Sequence, residues 1–102
     1  MSGQKVLLDL NNPEFQAELF KLGKAEQRSV LLSCKKLIQM TWHQVYRDTG
    51  LKWEAVLSRS TADGLRIYSL RIGKGFRALA CRDGRYLRLL SLHPDHDSAY
   101  IS

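Results

Sequence analysis

Two short glycine turns in the second half of the chain constrain its fold more than any other feature. Asp83-Gly84 separates residues 76–81 from 86–92, and Gly73-Lys74-Gly75 separates 65–72 from 76–81. The first two runs are rich in β-formers, the third alternates less cleanly, and none contains proline. Asp-Gly between two such runs is a strong signal for a two-residue hairpin. Three runs joined by two tight turns predict an antiparallel meander.

The first half has a different period. Residues 5–10 (KVLLDL) read as a short strand. Asn12 offers an N-cap, Pro13 a first helical position and Glu14 an acid in the first turn. Phe15, Leu19 and Leu22 recur at helical spacing, and Gly23 reads as the stop. A second helix is expected over 25–40, with Val30, Cys34, Leu37 and Ile38 as its apolar stripe. Thr41 can cap a short third helix over 42–47, stopped by Gly50. Strand, helices and meander in that order predict one α+β domain with helices on one face of an antiparallel sheet. A chain of 102 residues is long enough to bury a core without disulfides or metals.

Register decides which side chains share the other face. With Asp83-Gly84 as the loop, Arg82 pairs with Arg85, Cys81 with Tyr86, Leu79 with Arg88 and Arg77 with Leu90. Phe76, Ala78, Ala80, Leu87 and Leu89 then form an apolar face for the helices. At the earlier turn a three-residue loop pairs Ile72 with Phe76 and adds Tyr68, Leu70 and Ile72 to that face. A two-residue loop would bury Arg71 beside Phe76, which is costly for an unpaired guanidinium. The open face is therefore expected to carry Arg71, Arg77 and Arg88 from three successive strands.

Charge points the same way. The net charge is +6, and residues 59–90 hold eight basic groups, Arg66 and Lys74 among them, against Asp63 and Asp83. An arginine-rich excess of this kind attracts a polyanion such as nucleic acid, or else forms a solvated sheet edge with positive gatekeepers. Like charges gathered on one face oppose folding unless an anion or solvent offsets them, and a phosphate backbone does so. No run approaches the ~20 apolar residues of a membrane span, and the start MSGQKVLLDL reads as no secretory signal. Cys34 and Cys81 are the only cysteines and suggest no disulfide framework, so a reduced cytosolic setting is expected.

The stretch YSLRIGKGFRALAC, a hairpin, and then LRLLSLHPDHDSAY resembles the RelE/ParE toxin superfamily. The shared pattern is Leu-Arg, a short turn, Gly, an aromatic, Arg, a hairpin, and a last strand running into a polar stretch that ends in Tyr. The preceding helical hairpin also fits. The resemblance implies a RelE-like fold and a small bacterial cytoplasmic toxin neutralised by an antitoxin protein. RelE-like members cut mRNA in the ribosome without a metal or other cofactor, whereas ParE-like members inhibit DNA gyrase. Arg77 matches the arginine placed on the scissile phosphate, Tyr100 the C-terminal tyrosine and Arg71 a basic residue one strand earlier. This chain departs from RelE in having Ile67 and Ser69 where RelE has strand lysines, and Pro94 to Asp97 where RelE has a basic pair. It is closer to relatives that use His, Asp or Glu.

Metal-free RNA cleavage needs a base for the 2′-OH, a cation for the pentacoordinate phosphorus and an acid for the leaving 5′-oxygen. Read from the residues alone, HPDHD is a hydrophilic tail and Tyr100 a packing residue. The resemblance instead makes His93, His96, Asp97 and Tyr100 candidate catalytic groups beside Arg77, on a loop bent back over the open face. Histidine suits acid or base work near neutral pH. Arg66, Arg71, Lys74 and Arg88 are the candidate RNA-binding cations. The pair His93-x-x-His96 has no Cys or third His nearby, and no metal is expected. Cys81 reads as a small space-filler, His43 as a helix-surface or linker residue, and Glu54 as a solvated carboxylate before the meander, near where some relatives place a carboxylate base. The expected activity is a ribosome-dependent mRNA endonuclease. The alternatives are a gyrase inhibitor with the same fold, or a non-catalytic basic module that binds nucleic acid.

Overall fold

The structure is a computed structural model that describes residues 3–94; His96, Asp97 and Tyr100 lie outside the described residues. The elements are β1 (Leu7–Asp9), α1 (Pro13–Lys21), α2 (Lys24–Ile38), α3 (Trp42–Arg47), β2 (Glu54–Ser60), β3 (Arg66–Gly73), β4 (Phe76–Asp83) and β5 (Tyr86–His93). The strands form one five-stranded sheet in the order β1-β5-β4-β3-β2. β1 runs parallel to β5, and the other pairings are antiparallel.

Local signals place the helices. Asn12 accepts from the backbone N–H groups of Glu14 and Phe15, and Pro13 takes the first position of α1. Thr41 and Gln44 form a reciprocal capping box at α3. Gly23 is the N-cap of α2 rather than the stop of α1, which ends one residue earlier at the cap Leu22. α2 ends at Ile38, two residues short of expectation. Ile38 is half exposed, while Val30 and Leu37 are buried.

The apolar sheet face is as the alternation predicts. Leu70, Phe76, Ala78, Ala80, Leu87 and Leu89 are buried against Phe15, Val30, Leu37, Trp42 and Val45 from the helices. A cluster of Trp42, Tyr46, Trp53 and Tyr68 closes one end, with Trp53 stacked on Tyr68 at 4.5 Å and Arg82 over Trp42 at 4.3 Å. Such a cation–π contact adds attraction beyond burial. Leu70 is wholly buried at the centre of β3. Leu70→Ala is expected to cost ~2–5 kcal/mol, read as a lower denaturant midpoint. Leu57→Ala, at an 85% exposed position on the edge strand, should move it by no more than ~0.5 kcal/mol.

Three expectations need correction. First, β2 was not anticipated, and the meander has four strands rather than three. β2 is an edge strand paired only with β3, and its side chains are nearly all exposed, so it leaves no hydrophobic alternation to read. Second, β1 is shorter than 5–10. Before it, Val6 N donates to Met40 O and Trp42 N to Gln4 O, so this stretch pairs with the α2–α3 junction.

Third, the β4–β5 register differs. The loop is Gly84-Arg85 and Asp83 pairs with Tyr86. Gly84 has φ +62 and takes the first central position, the glycine place of a type II′ turn. Further along, Ala80 pairs with Leu89 but Leu79 pairs with Ser91, which leaves Leu90 as the extra residue of a bulge. A one-residue slip exchanges the two faces of a strand. The bulge therefore brings Leu92, 4% exposed, into the core, and turns Ser91 and His93 to the open face. The β3–β4 register is as expected, with Arg71 opposite Arg77, although Gly73 rather than Ile72 pairs with Phe76.

Candidate active site

The open face carries two rows of side chains across the strands. In one, Arg71 on β3, Arg77 on β4 and His93 on β5 stand directly opposite one another. In the other, Glu54 on β2, Ser69 on β3, Leu79 on β4 and Ser91 on β5 are aligned. Cross-strand neighbours of this kind lie ~5 Å apart.

Arg77 joins the two rows. Its Nη2 donates to Ser69 Oγ at 2.7 Å and stands 3.6 Å from Glu54 Oε1. The Arg77 side chain is 40% exposed and that of Glu54 66%, so both reach solvent. His93, expected on a loop after the last strand, is the final residue of β5 itself. Its Nε2 shares a hydrogen bond of 3.0 Å with Ser91 Oγ, in a direction set by the ring tautomer. That contact holds the imidazole next to Arg77 and leaves Nδ1 as its other polar atom. The site thus combines a carboxylate, a guanidinium and an imidazole on three strands. Glu54 was read as solvated, and solvated it is. What the reading missed was that Trp53-Glu54 starts an edge strand whose first pairing, Glu54 with Ser69, aims the carboxylate at Arg77.

The other candidates divide. Arg71 and Lys74 are exposed at the β3–β4 end, close to Arg77. Arg88 is on the open face but bonded to Asp9 at 3.2 Å and to Asp83 at 2.9 Å. The Asp9 hydrogen bond pushes its pKa further up. Arg88 therefore ties β1 to β5 instead of offering a free cation. Arg66 alternates with Ile67 and so belongs to the helix-side face, at the strand end remote from the β3–β4 turn. Cys81 is fully buried opposite Ile67, and burial pushes its thiol up, away from the thiolate a nucleophile needs. A cavity of about 580 Å³ lies elsewhere, at α2 and α3. Its cations are already engaged, Lys36 with Asp48 at 3.4 Å and Arg47 with His43 at 3.1 Å.

No protein-family profile and no curated protein matches the chain. Among solved structures, the chain is similar to a chain of the archaeal RelE–RelB complex from Pyrococcus horikoshii OT3, with a TM-score of 0.57 and 22% identity. The match covers 92% of this chain and 96% of that one. The fold is therefore RelE-like, a helical hairpin packed on one face of a mainly antiparallel sheet. Among the described residues, no helix is long and apolar enough to cross a membrane.

Proposed function

We propose that the protein is the toxin of a toxin–antitoxin pair and a metal-independent endoribonuclease that cuts mRNA on the ribosome. The observation that carries this is the grouping of Glu54, Arg77 and His93 on the open sheet face. Those three residue types supply what transfer of a phosphodiester to its own 2′-oxygen requires.

Glu54 takes the proton of the 2′-OH as that oxygen attacks phosphorus. Arg77, already within reach of Glu54 and anchored by Ser69, faces the phosphate and offsets the charge that grows on its oxygens. The bond from phosphorus to the 5′-oxygen breaks, and His93 gives that oxygen its proton. The products are a 2′,3′-cyclic phosphate and a free 5′-OH. Arg71 and Lys74 bind the strand at the same end of the sheet. By the resemblance, His96, Asp97 and Tyr100 are further candidates, Asp97 to orient a histidine and Tyr100 to stack on a base or donate a proton. The likeness to a chain from a RelE–RelB complex supports an antitoxin as the resting partner. A segment that covers the basic sheet face is expected to be acidic or amphipathic and to fold on binding.

The test is induction without the antitoxin. Growth should stop, and new 5′ ends should appear within translated messages. Arrest accompanied by gyrase-dependent DNA breaks and intact messages would replace this reading with gyrase inhibition. Salt-sensitive RNA binding with no cleavage would leave only a binding module.

A further inference from the structure

We propose that Lys52 and Arg71 form a subsite for one particular phosphate of the cleaved strand, the one on the 5′ side of the nucleotide whose 2′-OH attacks. The assignment rests on the endonuclease reading and adds to it the direction in which RNA crosses the sheet.

A pocket of about 260 Å³ opens beside Arg77, lined by Lys52, Arg71, Gly73, Gly75 and Arg77. Three cations and no carboxylate line it. Among the described residues, neither Lys52 nor Arg71 forms an ion pair, whereas Arg77 faces Glu54 and Arg88 is held by two aspartates. Arg71 also stands directly opposite Arg77, and like charges so placed destabilise a sheet. An anion between them reverses the sign of that term.

Lys52 is held in place by its backbone. It has φ +50, the one non-glycine residue with positive φ among those described. A lysine rarely adopts that conformation, and strain of this kind persists only where the surroundings impose it. They do so here. Asp48 Oδ1 accepts from Leu51 N at 2.8 Å, and Leu51 O accepts from Arg71 N at 2.7 Å. The second bond ties the turn bearing Lys52 to the strand bearing Arg71. At the other side of the pocket, Gly73 and Gly75 carry no side chain to fill it.

Direction follows from the row Arg71–Arg77–His93. The scissile phosphate sits at Arg77. His93, on the β5 side, protonates the leaving 5′-oxygen, so the downstream nucleotide lies toward β5. Glu54 and Ser69 stand on β2 and β3, so the attacking 2′-OH and its nucleotide lie on that side. The next phosphate in the 5′ direction then reaches Arg71 and Lys52.

The test uses programmed ribosomes, which fix the register of the message. A neutral methylphosphonate is placed at the phosphate one step 5′ of the cleavage site, or one step 3′ of it. A charge-assisted contact is worth ~1.5–3 kcal/mol, so the 5′ replacement should slow cleavage by the natural protein at least ~10-fold at limiting enzyme. Lys52→Gly relieves the strained φ while removing the cation, and Lys52→Gly with Arg71→Ala should cut the ordinary message about as slowly. That double variant should be nearly indifferent to the 5′ replacement yet retain the natural protein's response to the 3′ one. Lys52→Arg should restore the 5′ sensitivity. A natural protein indifferent to the 5′ methylphosphonate would overturn the subsite and leave the endonuclease reading intact, as would a double variant that keeps the full penalty. If the natural protein cuts no message on ribosomes, both fall together.

Discussion

Arg77→Ala is expected to lower the rate of message cleavage on programmed ribosomes by ~10²–10³, the usual loss when one preorganised donor to transition-state charge is removed. Growth arrest on induction should weaken correspondingly. The fold should survive. Arg77 is 40% exposed, and its pair with Glu54 at 3.6 Å is of a kind worth ~0–1 kcal/mol. Its hydrogen bond to Ser69 is lost, but so is the repulsion from Arg71 opposite. The melting temperature should therefore move little, and measuring it beside the rate separates a missing cation from a damaged sheet. Lys24→Ala, at the exposed start of α2, serves as the silent control. A stable, fully toxic Arg77→Ala protein would refute the site.

Glu54→Gln and His93→Ala test the two proton transfers, each expected to slow cleavage by ~10²–10⁴. Both losses are read as message cleavage on programmed ribosomes, with the melting temperature measured beside the rate. Should His93→Ala keep full activity while His96→Ala loses it, the acid role passes to His96. Glu54→Gln keeps its size and polarity at an exposed edge position, so its stability should be unchanged.

What these experiments probe was legible in the sequence to differing degrees. The Arg-bearing open face followed from alternation along β3 and β4, because a strand with one buried face commits every second residue. The same logic excluded the register that would bury Arg71. Arg77 stands out in the sequence itself, and the resemblance to RelE-like toxins rests on residues around it. The fold likeness to a chain of the RelE–RelB complex agrees with that resemblance.

Glu54 shows the opposite case. Nothing in Leu-Lys-Trp-Glu-Ala-Val marks a strand start, because an exposed edge strand needs no apolar alternation to be stable. Its carboxylate reaches Arg77 only because β2 pairs with β3, so that Glu54 stands beside Ser69. Arg88 is similar. Its charge was visible, but its neutralisation by Asp9, 79 residues away in sequence, required β1 to lie beside β5.

The sequence by itself determined the features decided within a few residues of chain. These are the caps at Asn12 and Thr41, the presence of tight turns near Gly75 and Gly84, and the division of β3 and β4 into an apolar face and a basic one. Each depends on local hydrogen bonding, positive φ or period-two alternation, which any window of the chain displays. The tertiary structure alone decided the two-residue shift of the β4–β5 hairpin and the bulge at Leu90. Both belong to the hairpin as a whole, because a strand's register is shared by all its residues, and the register adopted buries Leu92 and places His93 opposite Arg77.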